Sequence, residues 1–529
     1  MTDRTATARS TGPGLPPPRD TVAGSANAAC VPSFVSPRRI APLIIALAGL
    51  ALAGCAVGPN FKTPAAPAIS GVAAEPLATT VSTPDVAQGG AQRFDVGSDL
   101  PDAWWTLFHS QPLNDLVEQA LTNNHDLKAA QAALRVAHEN VLAQRGVYFP
   151  SVGLGFDATR QRQSGAIAPT PSNNAFEYSL YTPQVSVSYA LDVFGLNRRN
   201  TESIKAQEQA VRFQMIATHI TLTSNVATAA IQLGALQSQV DATRELVEIN
   251  TKGLQILREQ FAKGYASRLD VAAQEAQLAQ VAAALPPLAK QLAQQRDLLA
   301  ALTGRYPSQM AGATFDLASL QLPADLPVSL PSALVAQRPD VRQAEATLHA
   351  ASAQIGVAVA NRLPNIALTA NAGSTAVAMG QLFQSGTGFW AVGAAVTAPV
   401  FEGGTLLHQE RAARAAYVEA AEQYRGTVIN AFQNVADTLA ALQQDAEGLK
   451  AAAAAEQAAK LTLAASQRQV RDGYANYLAL MSAEQAYQQA RIGLAQAQAN
   501  RLSDTAALFQ ALGGGWWRQA DLAKDHDDH

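Results

Sequence analysis

Across 529 residues the chain has only two cysteines, Cys30 and Cys55, and only 15% charged side chains. Cys30 lies before a predicted cleavage point and Cys55 at it, so no disulfide can survive maturation and an exported chain must be held together by burial or assembly. Past residue 54 the sequence contains no apolar run of the roughly 18 residues a spanning helix needs, so any membrane crossing falls to strands. Catalytic signatures are missing too: there is no HExxH, no nucleophile elbow and no phosphate-cradling GxxxxGK[ST]. Neither an enzyme nor a cofactor is expected. The formal net charge is −4; residues 1–54 hold five Arg and two Asp, a net +3, leaving −7 for the remainder. That balance excludes a basic footprint for nucleic acid.

What is present begins with an address. Arg38 and Arg39 precede an apolar stretch from Ile40 to Gly54, too short to span a bilayer, which ends in Leu52-Ala53-Gly54-Cys55. Small residues before a cysteine suit a cleaving peptidase, and the thiol is the nucleophile that accepts an acyl-glycerol. The segment resembles a bacterial lipobox and predicts a mature chain lipid-anchored at Cys55. Residue 56 is Ala, not the Asp that often marks inner-membrane retention, so an outer-membrane destination is expected. The alternative is an ordinary signal peptide or short buried helix with a chance cysteine. Residues 56 to about 100 are rich in Ala, Pro, Val and Thr, consistent with an extended tether.

The chain is then written twice. Asn124-His125-Asp126-Leu127-Lys128 recurs as Arg338-Pro339-Asp340-Val341-Arg342 at an offset of 214, which also carries Phe149-Pro150 onto Leu363-Pro364. Val193-Phe194 maps onto Val400-Phe401 at offset 207, and Lys263-Gly264-Tyr265-Ala266 onto Asp472-Gly473-Tyr474-Ala475 at offset 209. That last register continues without a gap as far as Gly304, which maps onto Gly513.

Within each copy the period changes in one order. Residues 110–148 predict a helix stopped by Phe149-Pro150. Val152, Leu154 and Phe156 start a strand, 161–175 predicts a polar loop, and strict alternation of Val185, Val187, Tyr189, Leu191 and Val193 predicts a second strand. In copy two Ile366, Leu368 and Ala370 begin one strand and Trp390 to Val400 form the other. Proline-free stretches over about 198–262 and 405–471 predict helices on the order of 100 Å. Helices of that length need a partner along their stripe, so each copy predicts an antiparallel hairpin with a Gly-containing tip. The second arm of copy one is expected to end or kink at Pro286-Pro287.

Four strands of about 10 residues match membrane β-strands, but the smallest barrels need about eight, and lipid permits no open edge. One chain cannot close a barrel. Two chains give eight strands and three give twelve, and only the wider leaves a lumen.

At this point the residues resemble the TolC-like outer-membrane efflux factors, in particular the lipoprotein NodT/OprM-type branch. The resemblance runs from Cys55 and Gly58-Pro59 through Trp104-Trp105-Thr106-Leu107-Phe108, Arg338-Pro339-Asp340-Val341, Ile355-Gly356 and Leu363-Pro364 to Gly513-Gly514-Gly515-Trp516. It implies a mostly α fold with a membrane β-barrel part: a homotrimer with a twelve-stranded barrel, four strands per chain, on a long periplasmic α-helical barrel. It implies domains 1–54 (extension and signal), 55–109 (tether and start of an equatorial region), 110–307 (repeat 1), 308–323 (equatorial linker), 324–514 (repeat 2) and 515–529 (acidic tail). The partners it implies are a periplasmic adaptor, an inner-membrane RND-type pump and outer-membrane lipid, and the function is a passive exit duct for drugs or other small toxic compounds. In such proteins the hairpin tips, here Gly264, Tyr265, Gly473 and Tyr474, meet the adaptor, and Leu269, Leu478 and Ser482 occupy the constriction. A carboxylate usual one turn past Leu478 is replaced by Ser482, and a following Arg by Gln485, which leaves Asp270 or Asp472 as substitutes.

Two other readings stay open: an exit duct of a type I protein secretion system, and a structural lipoprotein whose coiled coils only bridge the periplasm. Plain helix capping accounts for the tip glycines without a partner. Trp104 and Trp105 are expected to pack in the equatorial region rather than in a membrane belt. Phe176, Tyr178, Tyr181, Phe389 and Trp390 fit interface girdles or plain strand-forming aromatics. The Asp525-His526-Asp527-Asp528-His529 tail reads as solvated rather than metal-binding, and His125, His138, His219 and His408 as helix-surface residues.

Overall fold

The computed structural model describes residues 56–69, 71, 79–162, 177–310, 312–475 and 477–523, all within Gly54–His529, one of two units into which the chain divides. Cys30, the Arg38–Cys55 segment, most of the 161–175 loop, Phe176 and the Asp525–His529 tail lie outside the described residues.

A short strand β1 (Arg93–Val96) precedes the first repeat, which runs α1 (Gln111–Asn123), α2 (His125–Arg145), β2 (Ser151–Arg162), β3 (Glu177–Leu191), α3 (Leu196–Ala262) and α4 (Arg268–Leu302). After β4 (Asp325–Val328) the order returns as α5 (Pro331–Gln337), α6 (Pro339–Ala360), β5 (Asn365–Ser374), β6 (Gly388–Thr397), α7 (Thr405–Arg471) and α8 (Tyr477–Ala511), followed by one turn, α9 (Ala520–Ala523). The helix expected over 110–148 is two, because Asn124 leaves helical geometry and its side chain caps α2 by accepting the Leu127 amide at 3.0 Å. In copy two Arg338-Pro339 does the same work: the residue before a proline is driven to extended geometry, and Pro339 opens α6.

Helices α3 and α7 each have 67 residues, about 100 Å. Their hairpin partners are shorter. Helices α4 and α8 have 35 residues each, about 50 Å, so the hairpins cover only half of each long helix. Asn250, Arg258 and the Ala229 carbonyl of α3 bond Gln274, Glu275 and Gln295 of α4. The other half of α3 packs on α2 and α6, as His138 to Glu208 and the Ser203 hydroxyl to the Ala350 carbonyl record, and α6 also packs on α7. Short helices stacked end to end replace one long partner. Of the end or kink expected at Pro286-Pro287, the end does not occur: α4 runs through both prolines. Contacts to α3 hold it on either flank, Gln274 below and Gln295 above, and offset an interior-proline cost of about 3 kcal/mol.

The main core lies at the middle of the long helices. Strands β1 and β4 pair in parallel, Arg93 opposite Asp325 and Val96 opposite Val328, so the linker's strand begins just past the expected 308–323 segment. Trp104 is fully buried with its ring centroid 5.5 Å from that of Phe509, and Trp105, Phe108, Leu233, Leu299, Leu439 and Leu512 join the same cluster. Trp104 and Trp105 are therefore core residues, as expected. Arg501, also fully buried, donates to the carbonyls of Gln88 and Gly90 at 2.8 Å each and to Thr80 Oγ1 at 3.0 Å, fastening the N-terminal segment to α8. Two signature glycines meet nearer the sheet. A Cβ on Gly58, whose φ is +91°, would lie 2.4 Å from the Cα of Gly356, so neither position has room for a side chain. Beside them buried Arg199 donates to the Val57 carbonyl at 3.0 Å and to Asn60 Oδ1 at 2.7 Å.

Candidate functional site: an uncovered sheet face and two hairpin tips

The second sheet is antiparallel in the order β2-β3-β5-β6, with Leu154 opposite Val185, Val187 opposite Ala370 and Ala370 opposite Val392. Because side chains alternate, this register gathers Val152, Leu154, Phe156, Val185, Leu368, Trp390, Val392 and Val396 on one face. That face is bare: Leu154 is 85% exposed, and nothing among the described residues covers it. The opposite face carries Gly153, Ser186, Ser188, Thr369 and Asn371. An apolar face that wide is stable only against lipid or another apolar surface.

Several sequence expectations are corrected here. Strand β3 begins at Glu177 and ends at Leu191, and β6 ends at Thr397, leaving Val193 and Val400 in the turns that lead to α3 and α7. Strand β2 continues to Arg162, inside the expected loop, because β3 pairs with it out to Glu177. Of the aromatics, Tyr181 and Trp390 share the apolar face, whereas Tyr178 and Phe389 fall on the polar one and cannot belong to an outward girdle.

At the far end of the long helices the two tips are built alike. Gly264 and Gly473 have φ of +81° and +80°, which lets the amide of Tyr265 reach the Gln260 carbonyl at 2.9 Å and that of Tyr474 the Gln469 carbonyl at 2.8 Å. Both tyrosines project outward, 82% and 87% exposed. In the first tip Ser267 caps α4: its Oγ accepts the Asp270 amide at 3.1 Å while its own amide donates to Asp270 Oδ2 at 2.9 Å. Those hydrogen bonds from Ser267, side chain first, hold the Asp270 carboxyl below its usual range.

The tips meet each other. Tyr265, Asp270 and Gln274 of the first and Val470, Ala475 and Leu478 of the second line one cleft of about 370 Å³. Leu269, exposed, is not part of that lining. Leu478, Ser482 and Gln485 follow one another on an exposed stripe of α8, and Gln277 of α4 donates to Gln485 at 3.0 Å. Asp472 pairs with neighbouring Arg471 at 3.4 Å, so both candidate replacement carboxylates are engaged locally.

Some residues were not legible as candidates. Glu484 turns inward beside Met481 and Ala483, and burial pushes its carboxyl up. Asp445 of α7 and Asp504 of α8 face each other near Arg501; burial first, then the bond to Asp504, raises Asp445 to about 7. His219 is half-buried, and burial lowers it to about 4, unlike the surface histidine expected. Among the described residues no group of His, Cys, Asp and Glu could hold a metal, and no helix is long and apolar enough to cross a membrane.

The family described as outer membrane efflux protein matches residues 116–305 and 330–514, the spans of the two repeats. The chain belongs to the outer membrane efflux protein family. Among its relatives is the toluene efflux pump outer membrane protein TtgC of Pseudomonas putida, 30% identical over 491 residues, 91% of this chain and 97% of that one. Similar solved structures are the outer-membrane channel OprN (27% identity, TM-score 0.76, 87% of this chain and 100% of that one) and the open state of the MtrE outer membrane channel of Neisseria gonorrhoeae (26%, TM-score 0.74, 87% and 98%). As a member of the efflux family the chain has the TolC-like fold and is an outer-membrane channel component of an efflux system. The uncovered sheet is its membrane part.

Proposed function

We propose that three copies of the chain close one twelve-stranded barrel and form a passive exit duct for small toxic compounds, powered by a separate inner-membrane pump. The observation that carries this is the four-stranded sheet, apolar and bare on one face, with β2 and β6 each lacking a partner on one side among the described residues. Lipid tolerates neither open edge, and pairing β6 of one copy with β2 of the next satisfies both by a head-to-tail contact that closes into a ring. Relatives named for toluene and antibiotic efflux support a small-molecule cargo.

The twin tips with Gly264, Tyr265, Gly473 and Tyr474 are the docking surface for a periplasmic adaptor of an RND-type pump, and Leu478, Ser482 and Leu269 narrow the entrance. No step of this reading calls on catalysis. Lipid on Cys55 adds an anchor: Ala56 lies against Gly195, and the Val57 amide donates to the Phe194 carbonyl at 3.0 Å, just beyond the end of β3.

The test is direct. Purified protein should have the native mass of a trimer and carry current in planar bilayers, and with its adaptor and pump it should lower drug susceptibility in a host lacking its own exit duct. A monomer without current, or a bilayer-active protein that never supports export, ends the reading.

A further inference from the structure

The polar face of the membrane sheet is almost free of charge. Its side chains range from Gly153, Gly155, Ser186, Asn371 and Gly393 to Tyr178 and Phe389, and among the paired positions Asp157 is the only charged residue on it. Asp157 stands opposite Thr182 and is exposed. Its nearest basic neighbours in sequence, Arg160 and Arg162, fall on the other face by the alternation of β2 and pair with Glu177 at 3.6 and 3.7 Å. No ion pair is recorded for Asp157 among the described residues.

At the opposite end of the chain the two tip carboxylates, Asp270 and Asp472, are engaged locally, and the neighbouring stripe of α8 is uncharged. On α8 the exposed stripe reads Leu478, Ser482, Gln485, and Asp270 is held in the cap of α4. A carboxylate at the tip therefore cannot be assumed to sort cargo by charge.

We propose that Asp157 sets the charge preference of the passage, favouring cationic over anionic permeants. This rests on the duct reading above: with three copies around one lumen, Asp157 supplies a ring of three carboxylates in a wall that offers no compensating cation. A low-dielectric wall focuses the field of such a ring into the pore, as rings of Asp or Glu do in cation-preferring channels. Gly155 precedes it and Thr182 stands opposite on the same face, neither charged, so Asp157 acts on long-range charge rather than by close fit. Salt screens that field over about 10 Å at 0.1 M and about 3 Å at 1 M, and the preference weakens accordingly.

The experiment compares wild type, Asp157→Asn and Asp157→Lys as purified trimers in planar bilayers under a tenfold KCl gradient, at a mean concentration near 0.1 M and again near 1 M. Wild type should reverse on the potassium side at low salt, Asp157→Asn should lose at least half of that shift, and Asp157→Lys should move it toward chloride. All three should converge at high salt. Asp157 is exposed and its side chain makes no recorded hydrogen bond, so the variants should assemble. Reversal potentials equal in wild type and both variants overturn the assignment while leaving the duct reading intact. Trimers of wild type that carry no current overturn the duct reading and this assignment with it.

Discussion

Arg338 donates from Nη1 to the carbonyl of Ala511 at 2.8 Å, and its counterpart in the first repeat, Asn124, donates from Nδ2 to the carbonyl of Leu302 at 3.1 Å. Leu302 and Ala511 end α4 and α8, so in each repeat the residue at the N-cap position of one helix also satisfies the orphan carbonyl of another. Arg338 further forks onto Asp340 at 3.0 and 2.6 Å. Truncation by Arg338→Ala leaves that carbonyl unmet and should cost about 1–3 kcal/mol. A lowered thermal midpoint in the isolated trimer would show it, with Arg338→Lys recovering part. An unchanged midpoint in Arg338→Ala would remove this contact from any account of stability.

The tip argument separates folding from docking. A Cβ on Gly473 would meet no heavy atom within 4 Å, so a larger residue there faces only the backbone cost of its +80° φ, about 1–2 kcal/mol. Gly473→Val should therefore assemble as trimers yet lose adaptor-dependent export. If export in that variant matches wild type, the tip has no docking role and its glycine is a helix cap.

Much of this architecture was legible because its signals are local or repeated. Long proline-free stretches gave α3 and α7, α7 to the residue, and strict alternation gave the sheet faces. Misreadings arose where tertiary contact overrode local chemistry. Pro286-Pro287 reads as an end or a kink, but a helix held on both flanks by α3 does not end there. The cleft shared by Tyr265 and Leu478, and the pair Asp445 and Asp504, join residues far apart in sequence on different helices. Asp157 was readable in principle: a lone acid at a polar-face position of a two-faced strand is visible before any coordinates are.

Lipid attachment is predicted to matter for delivery more than for flow. The segment after Cys55 is already clamped to α3 by Arg199 and to the end of β3 through Val57, contacts that do not depend on an acyl chain. Cys55→Ser should lower the amount of trimer in the outer membrane while export per assembled trimer, measured at matched surface abundance, stays equal. Loss of conductance in assembled Cys55→Ser trimers would count against this division of labour.

Asp445 should make the helix pair sensitive to alkali. Its carboxyl, raised from 3.8 to about 7 by burial and by Asp504, takes up protons more readily in the folded chain than in the unfolded one. Arg501, the cation on the same side, lowers it but is committed to the carbonyls of Gln88 and Gly90. Stability from a raised group is fully present below the unfolded value, near pH 4, and is lost as pH climbs through about 7. Above that point two carboxylates face each other between α7 and α8, and charge repulsion opposes their packing. Asp445→Asn keeps the shape and cannot ionise. Its thermal midpoint minus that of wild type should therefore grow between pH 5 and pH 8 and level off beyond. A difference that stays constant across this range would show that Asp445 and Asp504 do not share a proton in the folded protein.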